Sequence, residues 1–135
     1  MKLFLLLLLG ALTAEAQLAV EMSPLKLVGQ KAVVKLELKN GFAERIESAR
    51  AVCFLIDDQG KMVGQATKWV IGGGGASNGT GLVAGAKANY NFVISMERVT
   101  TTNLTAKIQF SRVILEGGKS VDPSQSVQVI SESKP

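Results

Sequence analysis

Hydrophobic and polar residues alternate along most of this chain with a period of two, the repeat of half-buried β-strands. Val34, Leu36 and Leu38 stand between Lys35, Glu37 and Lys39, so residues 31–39 are expected to form an amphipathic strand. Tyr90, Phe92, Ile94 and Met96 alternate with Asn89, Asn91, Val93 and Ser95 in the same way. The stretch around which the rest is organised is Ser48 to Ile71, which reads as two strands joined by a tight turn. In its first arm Ala49, Ala51, Cys53 and Leu55 make one apolar face; the other begins at Arg50 and continues with Val52, Phe54 and Ile56. A strand apolar on both sides is central in a sheet, or has one face covered by a loop or a partner. Asp57 to Lys61 supplies the turn, because Asp accepts local backbone hydrogen bonds and Gly60 can take the positive φ of a type I turn followed by a bulge. Met62 to Ile71 then returns, with Val63 and Trp69 on one parity.

The other elements follow from breaks in the alternation. Leu18 to Met22 and Leu25 to Val28 read as one first, edge strand interrupted by Ser23-Pro24. In residues 104–116 Ile108 and Phe110 share one parity, Val113 and Leu115 the other, and a bulge near Ser111-Arg112 would restore a single apolar face. Glu116-Gly117-Gly118-Lys119 is a hairpin turn, and Pro123 in the last strand (residues 120–130) is tolerated only at an edge or a bend. Six of the ten residues 72–81 are glycine, the composition of a flexible connection. About seven strands with turns between them, and no convincing helix in the body of the chain, predict an all-β fold: an immunoglobulin-like antiparallel β-sandwich, with a small barrel as the alternative.

The first residues follow a different pattern. Lys2 is a short positive region, Leu3 to Leu12 an apolar run, and Ala14-Glu15-Ala16 a small-x-small triplet. The run is about half the roughly 20 residues a membrane-spanning helix needs. Residues 1–16 are therefore expected to be a signal peptide cut between Ala16 and Gln17, a retained anchor being the alternative. Residues 17–135 are expected to form a single exported domain, periplasmic or secreted, with no span after the signal is removed.

Charge and rare residues narrow the chemistry. The net charge is +4, but the basic residues are scattered singly and aromatics are few, which argues against a nucleic-acid partner and supports only mild attraction to an acidic surface. Cys53 is the only cysteine, so no intramolecular disulfide is available, and its mid-strand place predicts a buried, inert thiol. There is no histidine, which removes Ser-His-Asp and Cys-His catalysis and the usual zinc sites. No catalytic constellation, cofactor motif or metal-ligand set is expected. Residues 79–84 fit a loose GxGxxA fingerprint but lack the helix that should follow. Asp57 and Asp58 could offer oxygens to Ca²⁺, although neighbours in a strand point to opposite sides and turn chemistry accounts for both. Asn78 and Asn103 open glycosylation sequons that matter only in a eukaryotic source.

The order of parts resembles the FxLYD-type group of bacterial exported immunoglobulin-like domains. An amphipathic strand ends at Asn40; another closes on Leu55-Ile56-Asp57 and leads into Asp58-Gln59-Gly60-Lys61; a Leu82-to-Gly85 turn precedes Tyr90-Asn91-Phe92. The match covers roughly residues 31–96. It departs at Cys53, where that group has Phe, at Ile56, where it has Tyr, and at Ala84, where it often has Pro. The resemblance implies a non-catalytic module of envelope or secreted proteins and carries over no functional residue.

The expected function is accordingly a binding or accessory module of the cell envelope, acting through protein–protein contacts at a sheet face or an open sheet edge. A secreted inhibitor, or an enzyme using a metal held by oxygens, is the alternative. Val52, Phe54 and Ile56 are surplus to one core face, so they and Trp69, with the glycine-rich loop beside it, are the expected partner surface. Trp69 could instead plug the core.

Overall fold

A computed structural model describes residues 17–73, 81–96 and 103–131. The expected signal peptide and its Ala16 cleavage site, and the Asn78 sequon, lie outside the described residues. Nine strands follow in order: β1 (Leu18–Met22), β2 (Lys26–Val28), β3 (Lys31–Asn40), β4 (Ile46–Ile56), β5 (Met62–Ile71), β6 (Lys87–Ser95), β7 (Thr105–Leu115), β8 (Lys119–Val121) and β9 (Val127–Ser131). One helical turn, α1 (Pro123–Ser126), separates the last two.

The strands form two sheets packed face to face. In the first, β6 pairs with one edge of β3, while β1 and β2 share the other, and β9 lies beside β1. The second runs β5–β4–β7–β8. β3 thus pairs with both an early and a late strand, and β4 with its hairpin partner β5 and with β7. This is the Greek-key pairing of an immunoglobulin-like sandwich. Nine strands occupy eight lines, because Ser23-Pro24-Leu25 divides one line into β1 and β2. Asp122 caps α1 by accepting from the Ser124 backbone N–H at 3.1 Å, and Pro123 sits where a missing N–H costs nothing. At this bend the chain leaves the second sheet and joins the first. The bend corrects two expectations: β1 is internal rather than an edge, and β1–β9 is a parallel pair within an otherwise antiparallel fold. Only β2 keeps the expected edge place.

The core lies between the sheets and follows the alternation. Val34, Leu36 and Leu38 of β3, Ala49, Ala51, Cys53 and Leu55 of β4, and Phe92 and Ile94 of β6 are fully buried. Each large aliphatic or aromatic side chain so buried contributes about 1.5–3 kcal/mol. In β7, Ala51 stands opposite Phe110 and Arg50 opposite Arg112, so Ser111 is an extra residue that brings Phe110 and Val113 to the same inner face. Val70 plays that part in β5 and Val63 near its start, where it turns inward against the core.

Two polar features hold the ends of the sandwich. Asn40 is the one buried polar residue among those described. Its Nδ2 donates to the carbonyls of Glu44 at 2.8 Å and Leu82 at 2.9 Å, and its Oδ1 accepts from the Phe42 N–H at 2.8 Å. One amide therefore ties the end of β3 to the β3–β4 loop and to the turn before β6. Gly72 and Gly81, at the two ends of the glycine-rich loop, both adopt positive φ and both press on the start of β4. A Cβ on Gly72 would fall 2.0 Å from the Glu47 carbonyl oxygen, and one on Gly81 would fall 2.3 Å from that of Ile46.

Candidate functional site: the outer face of the four-stranded sheet

The register of β5, β4 and β7 sets out this face in four rows. Trp69, Arg50 and Arg112 stand side by side, followed by Thr67, Val52 and Gln109, then Gln65, Phe54 and Lys107, and finally Met62, Ile56 and Thr105. The four residues expected to form a partner surface, Val52, Phe54, Ile56 and Trp69, thus share one face. All four are half-buried and none joins the core cluster. Trp69 is not a core plug. Its ring lies under the Arg50 guanidinium, 5.4 Å from carbon to centroid, and against Gly73, where a Cβ would come within 2.5 Å of the indole. Arg50 is held from a second side, its Nε donating to Ser111 Oγ at 3.1 Å. Long polar side chains of β5 and β7 surround the apolar centre: Gln65, Lys107, Gln109 and Arg112 are all exposed, and Met62 is 53% exposed at its corner.

The opposite surface is built differently. The outer face of the five-stranded sheet carries Lys31, Lys35, Lys39 and Lys87 interspersed with Glu21, Glu37, Asn89 and Asn91, and Lys87 pairs with Glu37 at 3.8 Å. Among the described residues its only cross-strand apolar pair is Val33 with Val93. That is a solvated face of mixed charge.

At its side the candidate face turns a corner. Among the described residues β8 covers β7 only from Val113 to Leu115, so Thr105 to Phe110 have no strand on the side away from β4. A groove of about 520 Å³ runs between this open edge and β9, lined by Met22, Ala106, Ile108 and Val129. Phe54 and Lys107 border the groove and also belong to the outer face. Face and edge form one continuous surface.

The other singled-out residues lie elsewhere. Cys53 faces the core, and burial pushes its thiol up to about 11, far from the thiolate a reactive cysteine needs. Asp57 Oδ1 accepts from the backbone N–H groups of Lys61 at 2.8 Å and Gln59 at 2.9 Å, which hold its carboxyl below the usual range. Its lone pairs serve the turn, whose Gly60 has φ +81° as expected. Asn103 is exposed just before β7. Among the described residues no three carboxylate or thiol side chains converge as a metal-ligand set. Arg50, Lys107 and Arg112 are the charged members of the face, which sequence reasoning left out of it. Arg50 was visible as the polar exception on its strand, but its neighbours emerge only once the Val70 and Ser111 bulges set the register.

No family model matches the chain, and no curated protein does. Among solved structures it is similar to IrmA from Escherichia coli, at 14% identity and a TM-score of 0.52, over 88% of this chain and 94% of that one. It also aligns with 10% of a β-glucuronidase of glycoside hydrolase family 2, at 15% identity and a TM-score of 0.40 over 82% of this chain. The first likeness shows the fold alone. The second carries no argument.

Proposed function

We propose that this protein is an exported, non-catalytic binding module of the cell envelope that holds a protein partner on the outer face of the β5–β4–β7 sheet. The observation that carries the reading is the sharing of that face by half-buried Val52, Phe54, Ile56 and Trp69, flanked by the exposed polar side chains Gln65, Lys107, Gln109 and Arg112. An apolar centre with a polar rim is the anatomy of a protein interface. The face continues around Phe54 and Lys107 to the open edge of β7, so an extended segment of the partner has backbone groups to pair with. Export rests on the leader-like opening of the chain, and the FxLYD-type resemblance fits a module of this kind.

The test compares Phe54→Asp with Asn89→Asp, on the opposite face, in pull-downs from the envelope fraction of the source cell. Both positions face outward, so both variants are expected to fold. The Phe54 variant is expected to lose the wild-type partner and the Asn89 variant to keep it. Undiminished capture by the Phe54 variant would remove this face from the function.

A further inference from the structure

Every charged side chain in the four rows of the docking face is positive. Arg50, Arg112 and Lys107 are its charges, and no carboxylate stands among the twelve positions. Arg50 and Arg112 are direct cross-strand neighbours, a placement that like charges disfavour. Neither has an ion-pair partner among the described residues, whereas Lys87, Lys119 and Arg45 each have one. Arg50 is also pre-set. Stacking on Trp69 and the hydrogen bond to Ser111 fix the guanidinium with its terminal N–H groups uncommitted, the state in which Arg receives a carboxylate fork with little further ordering.

The charges sit in two rows, the first and the third. Four residues of β4 separate the Arg50 row from the Phe54 row, which places Lys107 roughly 13 Å from the arginine pair along the strand direction. Between them lies the Val52 row, with Phe54 directly beside Lys107 and Ile56 in the row beyond. The face therefore complements a surface with carboxylates on either side of an apolar centre.

Resting on the docking-face reading, we infer that the partner is an acidic protein surface whose carboxylates are received by Arg50 and Arg112 in the first row and by Lys107 two rows away, across Val52. A nucleic acid fits less well, because the single tryptophan on the face is already stacked with Arg50 and offers no free platform for a base. A bilayer fits less well because Val52 and Phe54 are half-buried and flanked by the exposed polar side chains of Gln65, Lys107 and Gln109.

A random dodecapeptide library displayed on phage is the probe. Selected sequences are expected to combine apolar residues with Asp or Glu. The leading peptide, made synthetically, should bind the Lys107→Glu/Arg112→Glu double variant at least about tenfold more weakly than wild type, and should weaken steadily as sodium chloride rises. Both positions are exposed, and reversing Arg112 relieves a like-charge pair, so an unchanged denaturation midpoint is expected for the double variant. Failure to enrich acidic sequences overturns the inference. Peptides lost on Phe54→Asp but indifferent to the double reversal overturn the acidic partner and leave the docking face standing. Peptides indifferent to Phe54→Asp overturn both. Sedimentation of the protein with equimolar phosphatidylserine and phosphatidylcholine vesicles, abolished by the same reversals, would assign the charges to lipid headgroups and likewise overturn it.

Discussion

Arg50 holds its guanidinium over the indole of Trp69, 5.4 Å from carbon to ring centroid, on the outer face of the sheet. The pair joins β4 to β5 across the solvent side, away from the core. A cation over an aromatic ring contributes about 0.5–1 kcal/mol at an exposed site. Trp69→Ala removes that and the half-burial of the indole, so a loss of roughly 1–2 kcal/mol is expected, against the 3–5 kcal/mol of a core aromatic. The denaturant midpoint measures it. A loss in the core range would mean that Trp69 supports the sandwich rather than the face.

Much of this architecture can be read from residue order. The alternation in β3 and β6 marks inner and outer faces directly, and the change of phase between Phe110 and Val113 points to the bulge at Ser111. Pro123 marks the bend. The destination of the last strand is hidden, because Gln128, Val129 and Ile130 are all exposed and carry no sign that they pair with β1 in parallel. Such a contact is set by topology, not by local pattern. The apolar half of the candidate face was visible as surplus hydrophobicity in β4. Its basic half was not, since Arg112 and Lys107 reach their places only through a register that skips Ser111.

Asn40 is expected to be the polar residue least tolerant of change. To sequence reading it is a strand terminator; in the fold its amide satisfies groups on the β3–β4 loop and on the turn before β6. Asn40→Ala takes a donor from the Glu44 and Leu82 carbonyls, leaving Leu82 only the Ile46 N–H, and the acceptor from the Phe42 N–H, for which about 1–3 kcal/mol is expected. Asn40→Asp should be worse, because a carboxylate oxygen would face the Glu44 and Leu82 carbonyls. Thermal unfolding of the two variants gives the order, and an Asp variant as stable as Ala would contradict the hydrogen-bond assignment.

Cys53 makes stability depend on alkaline pH. The folded protein holds the thiol proton more tightly than the unfolded chain, raising its pKa from 9.0 to about 11. That contribution is whole below pH 9 and is lost as pH rises toward 11. Tyr90, also raised by burial, acts in the same direction. Cys53→Ala should therefore lose less stability than wild type across this window, as followed by urea midpoints from pH 8 to 11. The native thiol should react with a labelling reagent only as fast as the domain opens. Labelling as rapid as in denaturant would show the thiol to be accessible.

Gly72 and Gly81 are anchors at the ends of their loop. Alanine at either would adopt a left-handed backbone costing about 1–2 kcal/mol and drive its Cβ into a carbonyl of β4. Gly85 also has positive φ but no atom within 4 Å of a Cβ, so Gly85→Ala should cost only the backbone part. Calorimetry of the three variants should rank Gly72 and Gly81 well below Gly85. Equal losses would mean that the close approach to Ile46 and Glu47 relaxes freely.

Asp57 governs the acid side. The backbone N–H groups of Lys61 and Gln59 bond its carboxylate, so its folded pKa lies below the unfolded 3.8. The stability this provides is present above the unfolded value and is lost as pH falls through the lower folded one. Carbon-detected NMR titration of the Asp57 carboxyl should give a midpoint below 3.8. Asp57→Asn keeps an acceptor at the same position and should hold the hairpin while removing this pH dependence. Asp57→Ala removes the acceptor and should loosen the Gly60 turn, visible as faster hydrogen exchange at the Lys61 N–H. A Lys61 N–H that exchanges equally fast in wild type and Asp57→Ala would show that the turn closes through its backbone bonds alone.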